Sequence, residues 1–257
     1  MKVVILAGGF GTRISEDSHL KPKPMITIGD MPILWHIMKH YSHYGFNEFV
    51  ICCGYKAFVI KEYFASYYLH MSDVTFDFSC ENQMTIHNNT AENWKVTLVD
   101  TGLNTMTGGR IKRIRPYTNG EPFMMTYGDG VSNIDLKVLL AFHRSHGKIL
   151  TLTAVSANQR FGVLEIDDDG KICAFREKSG QDGSQISAGF MVMEPEIFEY
   201  LEDDSTVFEK APLEALAASG QLMAYQHDGF WQCMDTQRDR GLLEELWNGG
   251  HAPWKVW

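Results

Sequence analysis

The sequence predicts an α/β protein built on a mostly parallel central sheet, and three observations predict it. Val3-Val4-Ile5-Leu6 is an aliphatic run of the kind found in strands covered on both faces, and it breaks at once into Gly8, Gly9 and Gly11. Strand-like and helix-like segments then alternate with short links, the pattern of right-handed βαβ crossovers. A second buried run, Phe123-Met124-Met125-Thr126-Tyr127, ends in Gly128-Asp129-Gly130, and ligands of open α/β sheets bind beyond such strand ends.

The first loop is the most informative stretch. Its glycines lack a Cβ and can adopt φ > 0, so that the backbone can wrap closely round a ligand. Successive N–H groups in such a loop form a concavity suited to phosphate oxygens. Arg13 adds a guanidinium fork, and Lys23, within Lys21-Pro22-Lys23-Pro24, adds a point charge. The third glycine of the dinucleotide fingerprint is missing and no G-x-x-x-x-G-K-[ST] occurs. The alternative is a bare turn without ligand; two cations in the same segment argue against it.

The first helix is expected to start at Asp30 as N-cap with Pro32 in the first turn, and Gly45 suits the position past its end. Its His36, His40 and His43 lack an H-E-x-x-H pattern or a further ligand, so they read as a partly packed, partly solvated face rather than a metal site. A strand is expected at residues 48–53, a helix at 56–70 and a strand at 74–78. Residues 80–94, with Asn82, Asn88, Asn89 and Asn93, read as an irregular surface excursion before a strand at 96–100.

Hydroxyls, glycines and one arginine follow that strand in residues 101–110, ending at Arg110. As a bare pattern this is either a turn or part of a binding site. Asp129, flanked by glycines at a strand end, is well placed to hold a hard cation. A helix at 136–146 and a strand at 149–155 complete the alternating part. Residues 162–175 predict a hairpin turning at Asp167-Asp168-Asp169-Gly170, whose aspartates read as a solvated turn. Short helices at 196–201 and 207–219, a strand at 223–226 and a helix at 238–247 follow. The tail Ala252-Pro253-Trp254-Lys255-Val256-Trp257 carries two tryptophans that should not be left in water. The expectation is that they dock on a neighbouring subunit in a homo-oligomer; packing on their own subunit is the alternative.

A chain of 257 residues with 44% hydrophobic content is an ordinary globular composition. A formal charge of −9 excludes a nucleic-acid polymer as the expected partner, because phosphate backbones demand clustered cations, yet leaves a small anion possible. No apolar run approaches the length that crosses a bilayer, and Met1-Lys2 leads directly into the first strand. Five cysteines without C-x-x-C spacing read as reduced thiols. No membrane association and a cytoplasmic location are expected.

Leu6-Ala7-Gly8-Gly9-Phe10-Gly11-Thr12-Arg13, followed by Lys21-Pro22-Lys23-Pro24-Met25, resembles the signature of the sugar-1-phosphate nucleotidyltransferases. The particular form is most similar to the branch that uses CTP and glucose 1-phosphate. The resemblance runs over the whole chain. It implies a three-layer, Rossmann-like nucleotidyltransferase fold with a smaller β-rich sugar-binding portion, as one domain over 1–257. Residues 1–130 would be the nucleotide part, 131–240 the sugar-phosphate part and 237–257 the closing helix and tail. The same resemblance implies Arg13 and Lys23 as catalytic residues, and Leu6 to Thr12 with Thr105 and Arg110 on the nucleotide. It places Glu177, Lys178 and Gly189 on the sugar phosphate, and Asp129 with Asp235, from Trp231-Gln232-Cys233-Met234-Asp235-Thr236, on Mg²⁺. Ser179 replaces the proline of the usual F-x-E-K-P. The implied reaction is CTP with glucose 1-phosphate giving CDP-glucose and pyrophosphate, a product that feeds deoxysugar and surface-polysaccharide synthesis. Another nucleotide or sugar (UTP, dTTP, mannose 1-phosphate) and a non-catalytic nucleotide-sugar-binding regulator remain alternatives.

Overall fold

Alternation along the first strand, β1 (Lys2–Leu6), divides the interior in two: Val3 and Ile5 enter one apolar cluster, Val4 and Leu6 the other. The computed structural model describes residues 1–14, 21–156, 163–167, 170–176 and 185–257. Along the chain, β2 (Thr27–Ile28) and β3 (Met31–Pro32) form a small antiparallel pair ahead of the helix Ile33–His43. Next come β4 (Glu48–Cys53), the helix Ala57–His70, β5 (Asp73–Asp77), β6 (Gln83–His87) and β7 (Lys95–Asp100). The helix Thr107–Arg113 precedes β8 (Phe123–Tyr127) and β9 (Gly130–Ser132), and the helix Leu136–His146 precedes β10 (Leu150–Ser156). The hairpin β11 (Val163–Ile166) and β12 (Ile172–Arg176) and the long β13 (Gln185–Met193) follow. A 3₁₀ segment Pro195–Tyr200, the helix Ala211–Ala218, β14 (Leu222–Gln226), β15 (Trp231–Cys233) and the helix Gln237–Asn248 close the order.

Among the described residues the main sheet has nine strands, with β12-β11-β13-β8-β1-β4-β7 as its through-path and β10 and β14 joined beside β13. It is parallel through β8, β1, β4 and β7, as the aliphatic runs predict. Beyond β8 it becomes mixed, because β13 runs antiparallel to β8, β10 and β11. One face carries the helices Ile33–His43, Leu136–His146 and Gln237–Asn248, and the other carries Thr107–Arg113, Pro195–Tyr200 and Ala211–Ala218. The result is three layers.

Several expectations need correction. The first helix begins at Ile33, with Pro32 as N-cap and no side-chain cap; Met31 and Pro32 are taken up by β3, and Asp30 stays outside. The strand expected at 74–78 does not join the sheet. It pairs with β6 as a separate hairpin, so residues 80–94 contain a strand that polar composition concealed. The strand at 150–156 does not extend the parallel order, being antiparallel to β13 and parallel only to β14.

The tail also departs from expectation. Trp254 is fully buried within its own chain, stacked on Phe230 with ring centroids 5.7 Å apart, and Trp257 meets Trp35 edge-on. The tail therefore completes this subunit's core instead of waiting for a neighbour. Its anchor is the helix Ile33–His43, whose His36 is buried while His43 is exposed, the split face that its sequence predicts. His36 Nε2 lies 2.9 Å from the Ile28 carbonyl, and Trp254 Nε1 donates to His36 Nδ1 at 3.4 Å.

Candidate active site

A cleft of about 580 Å³ opens at the carboxyl ends of β1 and β8. Residues 6–12, Lys23, Thr105, Arg110, Asp129 and Asp235 all line it. The side chain of Arg13 and all of Glu177 and Lys178 lie outside the described residues. Of the expected sugar-phosphate group, Gly189 is described: it sits in β13, where pairing with β10 shifts register between Leu152 and Ala154. Its φ is 79°, and an added Cβ would come within 2.5 Å of the Tyr127 ring, so only glycine fits.

Two carboxylates from distant parts of the sequence converge on one lysine. Asp129 follows β8 directly, and Asp235 stands between β15 and the last helix. The short antiparallel pairing of Gly130 with Cys233 brings them together, and Met234 N–H donates to the Asp129 carbonyl at 2.8 Å. A capping box between Thr236 and Asp239 fixes the start of the helix, and Asp239 also accepts from the Asp235 N–H at 3.1 Å. Lys23 enters from a 3₁₀ turn, Lys23–Met25. It donates to Asp129 Oδ2 at 2.5 Å and to Asp235 Oδ1. Burial acts to lower the Lys23 pKa, and the combined pull of Asp129 and Asp235 overcomes it, leaving the ammonium above its ordinary value.

That arrangement fits a divalent cation. Two hard carboxylate oxygens already converge on one cationic atom, and such donors suit Mg²⁺ or a similar ion. Among the described residues no cluster of three or more His, Cys, Asp or Glu forms a metal cage. In the first helix, His36 and His40 are buried beside the carbonyls of Ile28 and Ile134, whereas His43 is exposed.

Arg110 plays a part that its sequence position does not disclose. It is 5% exposed. Its Nη1 donates to Thr101 Oγ1 at 2.7 Å and the Gly102 carbonyl at 2.8 Å, and its Nη2 to the carbonyls of Gly8 at 3.1 Å and Leu103 at 3.2 Å. The guanidinium thus staples the loop after β1 to the loop after β7. This explains Gly8 differently from the sequence reading. Among the three loop glycines only Gly11 has positive φ, at 65°, whereas a Cβ on Gly8 would stand 2.2 Å from Arg110 Nη1. Gly9 has open space around it.

Glu209 was not legible at all. Its carboxylate accepts from Tyr127 Oη and from Thr107 Oγ1, the latter at 2.6 Å, and so ties two walls of the cleft together. Burial first, then the adjoining Glu209 charge, raises the Tyr127 hydroxyl well above its ordinary pKa and keeps it a donor. No motif surrounds Glu209, and its partner Tyr127 is 82 positions away. Asp239 was findable, since T-x-x-D before an apolar helix is a capping pattern.

The family described as nucleotidyl transferase matches residues 2–249. The chain belongs to the nucleotidyl transferase family. Among curated relatives of this nucleotidyl transferase, the glucose-1-phosphate cytidylyltransferase of Salmonella typhi is 55% identical over the full length of both chains. The probable glucose-1-phosphate cytidylyltransferase of Bacillus subtilis is 44% identical, again over the whole of both. Among solved structures, HddC from Yersinia pseudotuberculosis superposes with a TM-score of 0.75 at 25% identity, covering 96% of this chain and 99% of that one. No helix among the described residues of the nucleotidyl transferase is long and apolar enough to cross a membrane.

Proposed function

We propose that the chain transfers a cytidylyl group from CTP to α-D-glucose 1-phosphate, giving CDP-glucose and pyrophosphate. The observation that carries this reading is the Asp129–Lys23–Asp235 constellation at the strand ends of a cleft floored by the glycine loop. Full-length similarity to two glucose-1-phosphate cytidylyltransferases supports the choice of base and sugar.

The reaction joins two polyanions, so their repulsion is the first obstacle. An oxygen of the sugar phosphate attacks the α-phosphorus of CTP, and the bond from that phosphorus to the oxygen bridging to the β-phosphate breaks. Pyrophosphate leaves with the electron pair. The attacking group is already an anion, so no general base is required, and positioning and electrostatics carry the catalysis. The backbone N–H groups of residues 8–12 receive nucleotide phosphate oxygens. Lys23 holds the incoming sugar phosphate, and Arg13 stabilises charge that develops on the departing pyrophosphate. Thr105 and the Arg110-stapled loop shape the nucleotide side of the cleft. Lys178 pairs with the sugar phosphate, Glu177 accepts from sugar hydroxyls, and Gly189 leaves room beside Tyr127. Asp129 and Asp235 would hold Mg²⁺, which when bound neutralises phosphate charge and polarises the reacting phosphoryl group.

A nucleotide-sugar-binding regulator would have no need of two carboxylates converging on a cation beside a phosphate loop. The discriminating experiment measures pyrophosphate release with CTP, UTP, dTTP, ATP and GTP against glucose 1-phosphate and mannose 1-phosphate. CTP with glucose 1-phosphate should give the highest kcat/KM. A preference for another pair overturns the specificity, and no turnover with any pair overturns the enzyme reading.

A further inference from the structure

Among the described residues the Lys23 ammonium bonds Asp129 Oδ2 and Asp235 Oδ1 and no other group. The two carboxylates cannot draw apart to relieve their own repulsion. Asp129 is held by the pairing of Gly130 with Cys233 and by the Met234 N–H on its carbonyl, and Asp235 by its N–H on Asp239. The Lys23 and Asp235 side chains are only 12% and 15% exposed, so solvent does little to screen that repulsion, and the position between them favours a cation. The Lys23 backbone is held as firmly. Pro22 and Pro24 flank it, Met25 N–H donates to the Pro22 carbonyl at 2.8 Å, and Ile26 N–H donates to the Lys23 carbonyl at 3.1 Å. What can move is the four-carbon stem, which carries a compact charge on several rotatable bonds.

We infer that the Lys23 ammonium is an internal stand-in for the divalent cation and leaves the carboxylates for an arriving phosphate, so that metal and sugar phosphate bind with positive coupling. The inference rests on the proposed roles of Lys23, Asp129 and Asp235 and goes beyond them by linking the two binding events. Space forbids joint occupancy. Mg²⁺ takes oxygen ligands at about 2.0–2.1 Å, whereas Nζ already sits 2.5 Å from Asp129 Oδ2. Charge forbids it too, because one dication neutralises both carboxylates and repels the ammonium beside it. The displaced ammonium then needs another anion. Among the described residues that line the cleft, Asp129 and Asp235 are the acidic ones, so the new partner has to come from a ligand. A phosphate monoester accepts from an ammonium in this way. In the free protein the metal competes with Lys23, and its apparent affinity falls by the fraction of molecules in which Lys23 has left. With the phosphate bound that competition disappears, and by reciprocity the metal tightens the phosphate equally.

The test counts Mn²⁺ bound to the full chain by electron paramagnetic resonance, since Mn²⁺ shares the preference for carboxylate oxygens. Glucose 1-phosphate and, in a parallel arm, mannose 1-phosphate are the probe anions, with protein-free mixtures as reference. For wild type, at least one of the two should lower the Mn²⁺ Kd by about tenfold or more. Lys23→Met keeps the stem without the charge. It should bind Mn²⁺ in the absence of phosphate at least about tenfold more tightly than wild type, and neither sugar phosphate should move that Kd by more than about twofold. A wild-type crystal grown with Mn²⁺ and the sugar phosphate gives a readout that needs no variant: the anomalous peak should lie between Asp129 and Asp235, with Nζ off both carboxylates. Nζ still bonded to both beside a bound Mn²⁺ overturns the inference. So does a wild-type Kd that neither sugar phosphate moves, or Lys23→Met binding Mn²⁺ no more tightly than wild type. Mn²⁺ that binds neither protein under any condition removes the two-carboxylate metal site and the inference with it, whereas binding without coupling removes the inference alone.

Discussion

Replacing Trp254 by alanine should destabilise the protein more than any other single change in the last ten residues. The indole is fully buried, stacked on Phe230 and on Trp247, whose centroid is 6.3 Å away, and its Nε1 donates to His36 Nδ1. Truncating a buried tryptophan costs about 3–5 kcal/mol. At about 2–4 °C per kcal/mol for a chain of this size, the melting temperature should fall by about 10 °C. A second signature follows from His36. Burial lowers its pKa to about 4, with the nearby Lys255 charge acting in the same direction and the Ile28 carbonyl against it. Burial likewise lowers His40 to about 4, aided by His43 and His227 and opposed by the Ile134 carbonyl. A folded pKa below the unfolded value near 6.5 means that the unfolded chain binds more protons between those two pH values. Stability is therefore fully present above pH 6.5 and is lost as pH falls towards 4, by an order of 3 kcal/mol per histidine. Trp254→Ala admits water to His36, so its melting temperature should depend less on pH over that window. Calorimetry from pH 7.5 to 4.5 on both proteins checks both effects. A fall of under 2 °C, or an unchanged pH slope, would refute the assignment of the tail as part of this subunit's core.

Two further outcomes test the cleft. Asp235→Asn should reduce kcat at limiting Mg²⁺ by about 10²–10³ while leaving the melting temperature near wild type, as measured by pyrophosphate release and thermal unfolding; full turnover at limiting Mg²⁺ would remove Asp235 from the site. Gly8→Ala should destabilise by about 1–3 kcal/mol, because its Cβ meets an Arg110 guanidinium that its carbonyl partners hold in place, whereas Gly9→Ala should stay within about 0.5 kcal/mol. Equal denaturant midpoints for the two glycine variants would contradict the staple.

The parallel heart of the fold was legible because strands covered on both faces must be aliphatic, as Val3–Leu6 and Phe123–Tyr127 are. The helix Leu136–His146 was equally plain, its end marked by Gly147, which adopts φ 62°. The β5–β6 hairpin was missed because its second strand reads as polar on one face and is solvated on the other, leaving no buried side to announce a strand. The charged pieces of the cleft could be found one by one, since Lys23, Asp129 and Asp235 each stand beside proline or glycine at an element's end or in a recognisable motif. Their meeting could not. It depends on the β9–β15 pairing, which joins Gly130 to Cys233 and which no local pattern encodes. The structural part of Arg110 was hidden for a related reason: a guanidinium in a loop reads as a ligand-binding group, and only the folded chain shows that this one also bonds backbone carbonyls.

Those carbonyls give the cleft its polarity. A trans peptide is planar, so a C=O turned one way sends the next residue's N–H the other way. The carbonyls of Gly8, Gly102 and Leu103 turn towards Arg110. The N–H groups of Gly9, Leu103 and Asn104 must then face away from it, and all three of these residues line the cleft. One interior cation thereby sorts the dipoles of two separate loops, acceptors inward and donors outward, before any phosphate arrives. Arg110 already holds these carbonyls in the folded chain, so binding an anion need not reorient the backbone.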